Sequence, residues 1–408
     1  MVTWRCEPAT RVVLALLAGL TCAALQLPAV AVVVVGVFRP RPVLLVAAAI
    51  AAIWGGLRVA RINERPLHPG HVSGVATVIS PTGPGRAVAH LTPPGEDVLL
   101  DAGGTRLQVG EVLRVTGTAQ QLFPEVRDYY AHQGVHLGVN ASDVVPLGYR
   151  GGPWGAIDTL HRSALHHLGW EPGASPERAL VAGVALGEGE ALPADVKGEF
   201  RASGLSHIVA ASGQNIALVV IFTLVVLGVC GVIGAPARFA ALGLTALYVL
   251  LAGGSPSIVR AGVAGGLTTV GWLASRPLQR WHLVACGAVA VLWINPLALF
   301  DPGFQLSFAA VVAIHLVAPR VRGMLNQAVA ISAACTLATL PIAWWHFSRL
   351  APLSIPANLL ALPAVAPILW LGLAATLAGA VWQPLAVPLL MLADVLAGYV
   401  LWVARLCS

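Results

Sequence analysis

From Ile216 to Gly234 the chain runs through nineteen consecutive residues without a charge, IALVVIFTLVVLGVCGVIG. About 20 such residues at 1.5 Å each cross a bilayer of about 30 Å. Inside lipid, a helix satisfies every backbone N–H and C=O within its own segment. Comparable apolar spans recur at 11–37, 43–60, 239–254, 257–275, 281–299, 303–319, 324–345, 353–380 and 386–404. With 57% hydrophobic and 10% charged residues, the composition excludes an ordinary soluble protein. The expected fold is a polytopic α-helical membrane protein, and Trp281, Trp293, Trp344, Trp345, Trp382 and Trp402 near span ends fit interfacial anchors.

The residues leading into that first stretch, FRASGLSHIVAASGQN from Phe200, are different. If Phe200–Gly234 is one helix, Ser203, His207, Ala210 and Gln214 share a face at offsets of four, seven and eleven. Asn215 borders it, and Ser212 lies in the same motif. Polar groups at membrane depth face a bundle interior or a wet cavity, because lipid offers them no partners. The alternative for these residues is interhelical glue.

The chain divides by composition into four parts. Residues 1–61 read as an N-terminal transmembrane helical hairpin with a kink at Pro28. Residues 62–152 carry short alternating runs bounded by Gly and Pro, VSGVATVIS, GRAVAHLT, DVLLDA, TRLQVG and EVLRVTGTAQ, which predict a small inserted all-β barrel. In Glu111–Gly117, Leu113 and Val115 fall on one face and Val112, Arg114 and Thr116 on the other. Residues 153–202 predict amphipathic interfacial helices, and 203–408 a transmembrane helical domain. Pro256, Pro302, Pro356 and Pro363 predict broken or re-entrant pieces in that last part.

Charge gives an orientation. Up to Ala202 there are sixteen basic and sixteen acidic residues; beyond it, eight Arg face only Asp301 and Asp394. With the β-domain placed outside, the short inner loops hold Arg39, Arg41, Arg238, Arg276, Arg280, Arg320 and Arg322, and the outer ones Arg260 and Arg349. Seven against two follows the positive-inside rule and puts both chain termini outside. No CxxC, HxH or HExxH spacing occurs, so neither cofactor nor metal is expected.

The stretch GEFRASGLSHIVAASGQNIAL is similar to the signature of the ComEC competence-protein family. Three further motifs follow in order: Pro256-Ser-Ile-Val-Arg260-Ala261, Asp301-Pro-Gly-Phe-Gln-Leu-Ser-Phe308 and Ile355-Pro-Ala-Asn-Leu-Leu-Ala-Leu-Pro363. The soluble region resembles that family's external OB-like domain. The resemblance implies a membrane channel that carries single-stranded DNA into the cytoplasm during natural transformation. It implies DNA and membrane lipid as partners, with a cytoplasmic motor ATPase and a separate nuclease as further ones. Where the family's motif commonly reads SGLHV, this chain has Ser212-Gly-Gln-Asn-Ile216. The C-terminal metallo-β-lactamase-like domain that members often carry is not matched, so a partner supplies strand degradation or this is a shortened chain.

The DNA-path candidates are His207, Ser212, Gln214, Asn215, Arg260, Gln305 and Ser307, and of these His207, Gln214, Asn215, Arg260 and Gln305 are expected to converge on one polar cavity. Among them Arg260 is the candidate for attracting phosphate, because a guanidinium fork matches phosphate oxygens. Asp301 and Asn358 are structural polar candidates: Asp301 caps the helix that Pro302 begins, and Asn358 satisfies backbone groups freed by the flanking prolines. A small-solute or anion transporter with a midplane polar site is the alternative, and an intramembrane enzyme ranks third. No activity as an enzyme is expected of these residues. The β-domain, with six Arg against eight acids, lacks a basic footprint for DNA.

Overall fold

The computed structural model describes residues 8–27, 30, 35, 42–63, 68–83, 85–105, 107–171, 173–189, 192–209, 213–252, 259, 262–267, 279–347 and 351–408. They form two compact units, Met1–Thr159 with Ala288–Asp301, and Leu160–Gly287 with Pro302–Ser408. Pro28, Ser212, Pro256 and Arg260 lie outside the described residues.

The first unit begins with α1 (Pro8–Ala24) and α2 (Pro42–Ile62), apolar helices that pack through small residues. A Cβ on Gly19 would run into Ala48 and Ala51, and one on Gly55 would come within 2.6 Å of the Ala23 methyl. Such contacts let backbones approach where lipid provides no hydrophobic drive for association. They also fix direction. Residue 19 meets 48–52 and residue 23 meets 55, so the two helices run the same way. This corrects the hairpin, whose two helices would run oppositely. It also corrects the N-terminus, because Pro8 lies at the opposite end of α1 from the end that α2 shares with the β-domain, about 25 Å away at 1.5 Å per residue.

Five strands follow: β1 (Gly70–Gly83), β2 (Arg86–Thr92), β3 (Glu96–Asp101), β4 (Glu111–Gln121) and β5 (Leu137–Tyr149). They close into a barrel in the order β1-β2-β3-β5-β4, with β3 and β5 parallel and the other pairs antiparallel. Alternation sends Ala76, Val78, Leu91, Val98, Leu100, Leu113, Val115 and Val139 into a dry core. Leu113 and Val115 share one face as their spacing predicted, and that face points inward. The fifth strand is not TRLQVG. Gly103 and Gly104 turn there with positive φ, and β5 comes instead after a short helix, α3 (Pro124–Ala131). On the barrel surface, the Arg86 guanidinium sits 2.7 Å from Asp101 and holds that carboxyl below its ordinary range.

The barrel is tied to the helices beside it. His136 Nε2 donates to the Ile62 carbonyl at 2.6 Å. The end of α10 (Arg280–Ile294) and the 3-10 turn Pro296–Phe300 complete the joint. A helix leaves its last four carbonyls open. Here Trp54 Nε1 takes that of Trp293 at 2.9 Å, and Arg58 takes that of Ile294 through Nε and Nη2. Trp54 stacks on Trp293 at 5.4 Å. Asn295 serves both sides: Oδ1 accepts from the Leu297 N–H, and Nδ2 donates to the His132 carbonyl at 2.8 Å.

The second unit is built around α5 (Pro176–Leu186), whose residues from Ala179 to Leu186 are all buried. Ser175 caps its start, Pro176 takes the first position, and Gly187 ends it in the left-handed region at φ 83. α13 (Ser354–Val381) and α14 (Gln383–Leu406) pack against it. α4 (Gly152–His167) precedes it. The expected single helix from Phe200 is divided: α6 (Ala194–Ala202) ends before α7 (Ser206–Val209), and α8 (Gly213–Val229) follows beyond 210–212, which lie outside the described residues. Gly204, with φ 75 and packed on Ser354, makes the first break. α9 (Ala235–Leu251), α11 (Pro302–Val317) and α12 (Met324–Phe347) complete the described bundle.

Among the described residues five helices are long and apolar enough to cross a membrane: Pro42–Ile62, Pro302–Arg320, Asn326–Phe347, Ser354–Val381 and Gln383–Leu406. Four shorter apolar helices accompany them. The prolines break less than expected. Pro302 opens α11, Pro356 lies in the first turn of α13, and α13 continues through Pro363 and Pro367. Bundled neighbours and local adjustments can re-satisfy the carbonyls that such prolines free.

Candidate functional site

The signature stretch meets α5 at its C-terminal end. Gly187 and Glu188 return their N–H groups to Gly183 and Ala182, which leaves Val184 among the open carbonyls. Asn215, 2% exposed, donates to it from Nδ2 at 3.2 Å. The Tyr248 hydroxyl of α9 is beside the same amide. One turn along α8 the Leu218 carbonyl accepts from Trp370 Nε1 at 3.1 Å, so α8 is held to α13 as well as α5.

The other candidates separate around this point. Ser203 closes α6, its hydroxyl donating to the Glu199 carbonyl at 2.8 Å. His207 is exposed, its Nδ1 3.3 Å from the Gly204 carbonyl. Gln214 is exposed beside buried Asn215, so adjacent positions look into different surroundings. Gln305, half-buried on α11, accepts at Oε1 from His346 Nε2 of α12 at 2.9 Å. Ser307 is half-buried on α11, and Asp301 directly precedes Pro302. Asn358 lies in α13, its Oδ1 buried without a partner among the described residues. The single helical face drawn from the sequence is thus divided at Gly204, and Ser212 and Arg260 lie outside the described residues.

Three further groups escaped the sequence reading. His161 Nε2 donates to Glu188 Oε1 at 2.8 Å, both largely buried next to the turn that ends α5. Arg178 at the start of α5 forms two bonds with Asp394 of α14, at 3.0 and 2.5 Å, and a third with the Leu168 carbonyl. Arg405 reaches Glu199 at 3.2 Å. The available signals were the acid in Gly187-Glu-Gly-Glu190 after an apolar run and the lone acid in α14. Each charge alone is costly at depth, so each calls for a partner. Chemically, these residues offer neutral hydrogen bonding, one imidazole–carboxylate pair and clamped ion pairs.

The chain is 28% identical over 209 residues to ComE operon protein 3 of Bacillus subtilis (strain 168), which covers 48% of this chain and 27% of that protein. It is 28% identical over 211 residues to the uncharacterized protein YcaI of Escherichia coli (strain K12), covering 47% and 28%. The aligned part is little more than a quarter of either relative's length. No solved structure matches. Residues 184–408, from the end of α5 through α14 and more than half of the sequence, match the Competence protein family, and the chain, a multi-pass membrane protein, belongs to it.

Proposed function

We propose that this chain is the conduit that carries single-stranded DNA across the cell membrane in natural transformation. The observation that carries this reading is the family match over the membrane half, which takes in the signature that Asn215 anchors to α5. The similarity to a protein named for the ComE operon supports it. The path is lined by His207, Ser212, Gln214, Arg260, Gln305 and Ser307, with Asn215 holding the frame beside it and Arg260 drawing in the phosphates. Residues 62–152 form an OB-like extracytoplasmic domain; the closed five-strand order with β3 beside β5 supports the first term, and the Arg asymmetry of the loops the second. With the barrel outside, the shared direction of α1 and α2 carries Pro8 to the cytoplasmic side. A cytoplasmic motor and a separate nuclease act with it.

Deleting the gene should abolish transformation by external DNA, and this chain alone, or with a separately expressed nuclease, should restore it. Arg260→Ala should cut DNA entry at matched expression, with Arg260→Lys restoring part. Normal transformation in the deletion strain would refute the reading. The run broken at Gly204 between α6 and α7 favours one second reading, a transporter for a small anion. Anion flux into vesicles holding the pure protein, with transformation intact in the deletion strain, would select it.

A further inference from the structure

The C-terminal ends of α1, α2 and α3 meet the 3-10 turn Pro296–Phe300 around a cleft of about 320 Å³. It is lined by apolar Ala24, Leu25 and Leu297 together with Gln26, Asn63, His132 and Phe300. That volume is at the small end of the range for ligand sites. The His132 ring stacks on Phe300 at 5.3 Å between centroids and 30° between planes. Asn295 fixes the ring's backbone by holding its carbonyl. Among the described residues the side chains of Gln26, Asn63 and His132 have no hydrogen-bond partner.

Gln26 adds an independent observation. The Leu27 N–H bonds to the Cys22 carbonyl and the Gln26 N–H to that of Ala23, the two bonds of a Schellman end. Gln26 therefore occupies the left-handed position, φ 59, that glycine takes most easily. An amide side chain held in that conformation at the mouth of a cleft is a local strain whose benefit is at the site.

The electrostatics select the ligand. Three helix C-termini direct carbonyl dipoles to the cleft, and Asp128 and Asp301 both act on His132. Burial nevertheless pushes this imidazole below its usual range, which favours the neutral ring with one donor and one acceptor nitrogen. A phosphate is disfavoured here. A flat, neutral ring bearing its own donors and acceptors is suited, since amides read base edges and every base offers a face to stack.

We infer that the cleft receives one nucleobase of a single DNA strand, stacked on the His132–Phe300 wall and read by the Gln26 and Asn63 amides. The inference rests on the conduit reading and assigns it a subsite where the barrel joins the membrane helices. The test compares oligo-deoxythymidine with an abasic strand of equal length, binding to the full chain in lipid nanodiscs. The wild type should hold the base-bearing strand about 10-fold tighter, the size of one stacking contact. Phe300→Leu and Asn63→Ala should remove the difference and leave abasic binding unchanged. Gln26→Gly should do so while melting no lower than the wild type, because glycine suits φ 59.

Equal binding of both strands by the wild type, no binding of either, or a wild-type ratio in Gln26→Gly and Asn63→Ala would overturn the inference. So would loss of co-purified lipid from the variants without change in strand binding, which would make this a headgroup cleft. If transformation still fails on gene deletion in those cases, the conduit stands and only the subsite is lost.

Discussion

The Arg178–Asp394 pair joins the start of α5 to α14, and its removal gives a calculable loss. The two side chains are 19% and 27% exposed, and the guanidinium makes two bonds to the carboxylate plus one to the Leu168 carbonyl. Breaking a fully buried pair costs about 3–5 kcal/mol, because a charge is left desolvated. Exposed pairs are worth about 0–1. At roughly a quarter exposure the loss lies toward the buried limit, so Asp394→Asn should destabilise by about 2–3 kcal/mol. Arg178→Met should cost more, since it also strips the Leu168 carbonyl of its donor, about 1 kcal/mol further. The double variant Arg178→Met with Asp394→Leu should recover most of the charge term and retain only that carbonyl penalty. Denaturant unfolding of the purified protein in one detergent, with all variants compared at equal detergent, measures each step. Single losses below about 1 kcal/mol that simply add in the double variant would refute the argument, because additivity means no coupling.

Three further outcomes follow from local geometry. Gly204→Ala forces a left-handed φ of 75 on alanine and sets its methyl 2.6 Å from Ser354 Cβ, so it should lower stability by about 1–3 kcal/mol in a thermal melt. Asp101, held below its ordinary 3.8 by Arg86, contributes stability that is full above that value and is lost as pH falls through its lowered one. Arg86→Gln should therefore weaken the acid limb of an unfolding curve, by less than about 1 kcal/mol because the side chains are 61% and 31% exposed. A double-mutant cycle of Gln305→Leu and His346→Ala should give a coupling of about 0.5–1.5 kcal/mol, and zero if the two do not bond.

Much of the architecture was legible because it follows from periodicity. The apolar spans that became α2, α11, α12, α13 and α14 are long, and few residue types suit lipid. Alternation alone put Leu113 and Val115 on one face of their strand, the face that the barrel buries. What failed depended on single residues or on distant ones. Gly204 splits the signature helix because its left-handed φ and its contact with Ser354 are tertiary facts, invisible in a wheel drawn through 203–214. TRLQVG alternates much as β5 does, yet the turn at Gly103 and Gly104 takes it out of the sheet. The direction of α1 relative to α2 rests on Gly19 and Gly55 finding their partners. The pairs Arg178–Asp394 and His161–Glu188 join residues 216 and 27 positions apart, and charge counting gave an orientation without pairing them.

Asn215 shows how the motif and the fold bear on each other. The motif it resembles has a histidine there, which suggests a titrating group in the passage. In this chain the residue has a narrower task, donating to the one α5 carbonyl that the Gly187 turn leaves within its reach. At 2% exposure that task requires a donor and penalises a charge. A neutral imidazole could meet the same demand through its N–H, so the two residue types share a mechanical role without sharing proton chemistry. On this view the signature's buried half holds the frame: Asn215 and Trp370 join α8 to α5 and α13. Its exposed half, with His207 and Gln214, is left for whatever passes. A strand carrying one charge per nucleotide must then meet its counter-charges outside this frame, which is why Arg260 rather than the buried amide is the residue on which the conduit reading turns.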